Sequence, residues 1–165
     1  MSEVSRYVRI FEASVATIVG AFVATAIALA MEGFASLIPL ALVIYIAVVM
    51  LLHVAFFYPR AISIAVSKGG YAITVSTPVG ALSFEVSNIA LSDINIVGTP
   101  ILGIRVGNLT LGIFKNLLDG RVACFAKYST GILAEATQNL AVFLGTRDLD
   151  ALVTCLEGGG ALCIA

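Results

Sequence analysis

The sequence predicts a membrane protein in which a two-helix transmembrane hairpin precedes a β-rich domain of about seven antiparallel strands and a C-terminal helix. Three observations carry this: two uncharged runs of spanning length near the N-terminus, period-two apolar alternation from residue 60 onward, and one apolar stripe at helical spacing near the C-terminus. Composition agrees. Of the 165 residues 60% are apolar and only 12% are charged, and a mean hydropathy of +1.07 is too high for an ordinary soluble domain. Nine basic and ten acidic residues nearly cancel, which excludes a disordered charged tail and a strongly basic nucleic-acid binder.

The first span is Ala13 to Met31, a run without charge between Glu12 and Glu32. At about 1.5 Å per residue it nearly matches a hydrocarbon core of about 30 Å. The second uncharged run is Gly33 to Pro59, interrupted only by the titratable His53, and it is long enough to span with tilt. A cleaved signal peptide fits less well, because signal apolar regions are shorter and a second span follows at once. The expected organisation is therefore an N-terminal segment 1–12, a hairpin 13–59, a β domain 60–158 and a tail 159–165. Arg6, Arg9, Arg60 and Lys68 flank the open end of the hairpin and Glu32 alone marks its tip. The positive-inside rule then predicts both termini and the β domain in the cytoplasm, in a cell membrane.

Within the first span Ala16, Gly20, Ala24 and Ala28 recur every four residues. Such a small-residue face lets a second backbone approach closely. Packing against the second span is the expected use; a homo-oligomer or partner helix is the alternative. His53 is the one ionisable group inside a span, a functional candidate by position. With no second charge in either span, a neutral interfacial histidine is expected.

The alternation Ile62, Ile64, Val66 and then Tyr71, Ile73, Val75 gives two strands joined by a Lys68-Gly69-Gly70 turn. Leu82 to Val86, Ile89 to Val97, Arg121 to Lys127, Gly131 to Thr137 and Leu140 to Thr146 supply five more, and strands at this spacing predict a sandwich or small barrel. Leu149, Leu152, Val153 and Leu156 share a helix face, with Thr146 as N-cap, Asp148 and Asp150 in the first turn, and Gly158 to Gly160 as the stop. This helix is expected to close the open end of the sheet.

Gly103-Ile-Arg-Val-Gly-Asn108, Leu111-Gly-Ile-Phe114, Leu118-Asp-Gly-Arg-Val122 with Cys124-Phe125, and Thr146-Arg-Asp-Leu-Asp-Ala-Leu152 with Leu156 resemble the bacterial and archaeal PH-like domain family. The resemblance covers roughly Arg60 to Gly158. It implies a scaffold, often beside transmembrane helices, that binds lipid head groups, peptides or partner proteins; separately from the resemblance, no cofactor is expected.

The residues themselves offer no catalytic set. The only histidine lies in a span, so no Ser-His-Asp or Cys-His arrangement can form in the β domain, and the expectation is a non-enzyme. Cys124, Cys155 and Cys163 lack the spacing of a metal or redox knuckle and are expected as free thiols, with no metal site. Asn108-Leu109-Thr110 matches a glycosylation sequon that a cytoplasmic domain would leave silent.

Binding is expected from the long connection Gly98 to Gly120, which has more apolar residues than a solvated loop needs: Ile101, Leu102, Ile104, Leu109, Leu111 and Phe114; a hydrophobic core flap over the sheet is the equal alternative. Arg105, Lys115, Arg121 and Lys127 fall in or beside it with Asp119 as the only acid. Facing anionic lipid, each would contribute about 1 kcal/mol, but the charges are spread over four turns rather than clustered, and a merely solvated hairpin is the favoured reading. The expected function is a membrane-anchored, non-catalytic module binding a protein partner or the lipid surface. The rival is a subunit of an oligomeric channel or transporter with His53 on the path.

Overall fold

The computed structural model describes residues 3–67, 69–116, 120–137, 139–147, 149–157 and 163–164. Expectations placed on Lys68, Asp119, Asp148 and Gly158 to Gly160 lie outside the described residues.

Two long helices, α1 (Glu3–Met31) and α2 (Ile38–Phe57), are joined through a single 3-10 turn at Ala35–Leu37. Both are long and apolar enough to cross a membrane. Pro39 sits in the first turn of α2, where its missing N–H has no helical partner to lose. Tyr58 ends α2 in an extended conformation (φ −75°, ψ 111°), as the residue before Pro59 must. Of the twelve residues assigned to a separate N-terminal segment, those described, 3–12, are instead the opening turns of α1. Their apolar stripe, Val4, Val8 and Phe11 with Val15 beyond it, is buried, so this part of the helix belongs to the domain core and not to the hairpin.

Ten strands are described: β1 (Ala61–Ser67), β2 (Gly70–Ser76), β3 (Ala81–Val86), β4 (Ile89–Asp93), β5 (Val97–Val106), β6 (Leu109–Asn116), β7 (Arg121–Ala126), β8 (Thr130–Thr137), β9 (Leu140–Gly145) and β10 (Cys163–Ile164), with helix α3 (Leu149–Glu157) before the last. They form a four-stranded sheet in the order β10-β1-β2-β3 and a six-stranded sheet in the order β4-β8-β9-β7-β6-β5. Helix α3 contacts β10, and its Cys155 packs on the main core.

The alternating strands of the first sheet form as their pattern dictates. Ile64 faces Ile73 and Ile62 faces Val75 across β1 and β2; Phe84 and Leu82 continue both rows on β3, and all six side chains are buried. The other sheet departs from expectation in three places. The run Ile89 to Val97 is broken by a 3-10 turn at Ile94–Ile96, because the Asp93 carboxylate accepts a hydrogen bond from Asn95 N at 3.0 Å and holds the chain in a capped turn. The connection Gly98 to Gly120 is a strand pair, β5 and β6, with register shifts around Pro100; a proline is tolerated there because β5 is an edge strand. Finally, the sheet is not all antiparallel: β9 lies between β7 and β8, parallel to β7 and antiparallel to β8.

The six-stranded sheet is strongly rolled. Laid flat, six strands about 4.8 Å apart would separate the edges by about 24 Å. Yet the edge strands β4 and β5 are joined only through Ile94–Ile96, and the steps from Asp93 to Val97 reach at most about 14 Å. No ladder joins β4 to β5 among the described residues, so the roll stops short of a closed barrel. Inside it lies a small core of Val97, Phe114, Val122, Cys124, Ala126, Ala141 and Phe143, flanked by Ile94, Ile96 and Leu133. Its alternation of large rings with alanines fits a tight curve.

The outer face of the roll carries Leu111, Ile113, Phe125, Val142 and Leu144 into the main core, together with the inner face of the first sheet, Val4, Val8, Phe11 and Val15 of α1, and Phe56 and Phe57 of α2. The base of the helical hairpin is therefore wedged into the β domain, and one core runs through both. Tyr7 fastens the joint: its hydroxyl donates to Phe56 O at 2.5 Å and lies 3.1 Å from Thr77 Oγ1 in the β2–β3 turn. That turn also reaches α2 through Val79 N to Ala55 O at 3.2 Å.

Candidate functional site

Above the wedge the helices leave the domain, and a groove of about 400 Å³ opens between them, roofed by β5. Ile18, Val19 and Phe22 of α1 form one wall, Leu42 to His53 of α2 the other, and Ile101 to Ile104 the roof. Two polar side chains line it. The Tyr45 hydroxyl is 3.1 Å from Thr25 Oγ1, and its ring packs edge-on against Phe22. His53 lies at the other end, only 5% exposed.

His53 is held from three sides. Its Nδ1 is 2.8 Å from Val49 O one turn back, and its ring meets Phe11 edge-on at 4.9 Å. Gly112 of β6 leaves it room: a Cβ on that glycine would come within 3.1 Å of the imidazole Cδ2. Gly112 also has φ +112°, a region side chains avoid, so the residue is suited twice over to a β-strand pressed against a helix. Since a carbonyl only accepts, Nδ1 donates to it, and the second ring nitrogen is Nε2. That Nε2 is buried without a hydrogen-bond partner, and so is Thr110 Oγ1 on β6. A buried polar atom left unpaired costs about 1–3 kcal/mol, and both atoms lie within the packed joint between α2 and β6 rather than on an open surface.

The residues expected to bind a partner or lipid do not form one surface. Ile101 is 45% exposed and lies in the groove roof. Leu109 is half-buried, and Leu111 and Phe114 are fully buried, so neither of the last two can meet a partner. Three of the four cations are engaged within the chain. Arg105 donates to Val97 O at 2.9 Å and lies over the Phe114 ring; Arg121 pairs with Glu12 of α1 at 2.6 Å; the Lys127 ammonium sits 4.3 Å from the centre of the Tyr58 ring. The Arg121 and Lys127 contacts tie the sheet to the hairpin base, and those of Arg105 stay within the sheet. Lys115 is exposed on β6.

Ala16, Gly20, Ala24 and Ala28 are all exposed, and a Cβ on Gly20 would meet nothing within 4 Å. The expected packing of this face on the second span is thus corrected: Phe22 and Thr25 make the α2 contacts. The expectation of three free thiols is corrected too, since Cys155 is disulfide-bonded. Cys124 is free and buried; burial pushes its thiol far above the ordinary range, with Arg105 offsetting part of the rise. Among the described residues no group of three or more His, Cys, Asp or Glu gathers to hold a metal.

Sequence reasoning found His53 but not its surroundings, because Phe11 and Gly112 reach it only through the wedge. Comparison with protein-family models, curated proteins and solved structures finds no match.

Proposed function

We propose that the chain is an integral membrane protein whose α1–α2 hairpin enters the bilayer and holds the β domain rigidly against its surface, as a non-catalytic module that binds at the lipid surface. The observation that carries this reading is the single core through the base of α1, the end of α2 and both sheets. A tethered domain would leave a linker; here the anchor and the domain share side chains. Beyond that base most exposed residues of the hairpin are apolar, among them Val23, Ile27, Leu40, Val43 and Leu51, a surface that water does not favour. The channel reading needs His53 on a pore-lining face. Its contacts with Phe11 and Gly112 lie inside one chain, and no observation favours that reading.

The hairpin puts both open ends on one side, and Arg6, Arg9, Arg60 and Lys68 favour the cytoplasm for them. The Cys155 disulfide pulls the other way, since disulfides persist mainly in oxidising compartments. Protease protection in sealed vesicles of known orientation, after a carbonate wash, tests both points. The proposal expects the chain to stay in the pellet with the β domain cleaved from one side only. Release by carbonate would overturn the membrane reading, and a domain protected on the cytoplasmic side would reverse its orientation.

A further inference from the structure

Three cations gather at the end of the β domain from which the hairpin emerges. Two contacts fix which end that is. Phe125 of β7 packs against Tyr7 of α1, and Arg121, at the start of the same strand, pairs with Glu12 further along α1. Strand β7 therefore runs back along α1, and its Arg121 end is the one toward Ala13, where the uncharged run begins. Strand β9 is parallel to β7 and starts level with it, Leu140 beside Arg121, which brings Asn139 to this end as well. Lys115 stands opposite Arg121 across the β6–β7 ladder, so the two side chains project from one face.

Between this end of the sheet and α1 lies a cleft of about 300 Å³. Arg9, Glu12, Arg121 and Asn139 line it, with the buried Val8 and Leu140 behind them. Its size is at the lower end for ligand pockets, suited to a head group. Arg9 is exposed and has no ion pair among the described residues. Arg121 gives one N–H to Glu12 at 2.6 Å, and a guanidinium has five. With Lys115 at the rim, three cations face one acid. The cleft is thus a positive site at the point where α1 passes from the domain into its spanning run, the depth at which a bilayer presents its phosphates.

We infer that this cleft binds the phosphate of an anionic phospholipid head group, held between Arg9 and Arg121. The inference rests on the proposed bilayer insertion and names the lipid class that the module takes there. The forked donors of a guanidinium match two phosphate oxygens. Glu12 acts in two ways: it holds Arg121 toward the cleft before a ligand arrives, and its charge opposes the ligand once there. The two side chains of this pair are 44% and 27% exposed, so the pair itself contributes little and phosphate can take the place of the carboxylate on Arg121. The proposal therefore carries a sign that a purely structural ion pair lacks: losing Arg121 weakens lipid binding, and losing the Glu12 charge strengthens it.

The test reconstitutes the full chain in phosphatidylcholine vesicles and compares trace spin-labelled phosphatidylglycerol with spin-labelled phosphatidylcholine, reading the fraction immobilised on the protein by electron spin resonance. The expected result is a preference for phosphatidylglycerol. Arg9→Gln and Arg121→Gln should each weaken its association roughly fivefold, the effect of one basic side chain at an anionic surface. Glu12→Gln should strengthen it. Arg147→Gln, exposed beyond the opposite end of β9, should leave it unchanged. Inorganic phosphate at matched ionic strength should not release the label. Equal immobilisation of the two lipids, a weaker association in Glu12→Gln, or an equal loss in Arg147→Gln and Arg9→Gln overturns the inference. Release by inorganic phosphate would assign the cleft to a soluble phosphate and overturn the lipid source. Any of these in a chain that resists carbonate extraction leaves the membrane reading standing, whereas a chain that carbonate strips from the vesicles removes both.

Discussion

Helix α1 presents two faces of similar oiliness with opposite fates. At 3.6 residues per turn, Val4, Val8, Phe11, Val15, Ile18 and Phe22 fall within about 40° of one line along the helix. The small residues Ala16, Gly20, Ala24 and Ala28 are centred about 180° away. The first face is buried in the domain as far as Val15 and then turns to α2 through Phe22; the second is exposed throughout. One straight helix cannot aim one face at the domain and the opposite face at its own hairpin partner. Once the base of α1 is wedged between the sheets, the orientation of the membrane half is fixed, and the small-residue seam must look outward.

The largest test of this comparison removes the wedge. Phe57 is fully buried, packed edge-on on Phe11 at 4.8 Å and against Phe125 of β7 at 5.1 Å. Phe57→Ala is expected to destabilise the protein by about 3–5 kcal/mol, read from thermal unfolding in mild detergent. Val23→Ala, at an exposed site on the same anchor, should cost within about 0.5 kcal/mol. Similar losses for the two would mean that the anchor and the domain do not share a core. A smaller effect is expected where the roof meets the helix. Gly112→Ala puts a side chain at φ +112° and 2.6 Å from Gly103 Cα, and should cost about 2 kcal/mol. An unchanged melting temperature would show that β5 and β6 are not pressed together as described.

The two cores can be compared through Cys124, which lies in the smaller one inside the rolled sheet. Its thiol ionises far more readily in the unfolded chain than in the folded one, because burial raises its folded pKa above the ordinary 9.0. The sign follows: the contribution is fully present below about pH 9 and is lost above it, by up to about 1.4 kcal/mol per pH unit. Cys124→Ala should therefore flatten the alkaline side of the stability profile relative to the unmodified chain. Parallel profiles for the two proteins would mean that water reaches the interior of the roll.

Legibility in the sequence followed burial on one side. Strands β1 to β3 bury one face and show alternation, so Ile62, Ile73 and Phe84 could be placed by eye. Strands β6, β7 and β9 are buried on both faces, and β5 carries Pro100 with a broken register; β5 and β6 therefore read as an apolar connection. The parallel β7·β9 pair is set by which hairpin folds back over which, a long-range choice without a local mark. The wedge was legible in part, for Val4, Val8, Phe11 and Val15 form a helical stripe across the charged residues Arg6, Arg9 and Glu12. Attention to charge alone stops the helix at Glu12 and hides it. His53 stood out as the lone ionisable group in a span, but its unpaired Nε2 depends on Gly112 and Phe11, which only the assembled fold brings near.

The smallest expected effect decides the face of α1 that is left over. Gly20→Leu adds a large side chain where a Cβ would meet nothing within 4 Å, and it replaces the helix-weakening glycine with a good helix former. Stability in detergent should stay level or rise by less than about 1 kcal/mol. If α2 lay over the seam, the same change would overpack a close helix contact and cost about 1–3 kcal/mol. The sign of this one measurement therefore separates the two orientations of α1. It does so independently of Phe57, because residue 20 lies more than a helical turn beyond the last side chain of α1 that the main core buries, Val15. A loss at Gly20 together with a loss at Phe57 would require α1 to bend between Val15 and Gly20. The stretch between them contains Thr17, whose hydroxyl bonds back to Ala13 O at 2.9 Å, a contact known to bend helices slightly, and Thr17→Val would then be the change that straightens it.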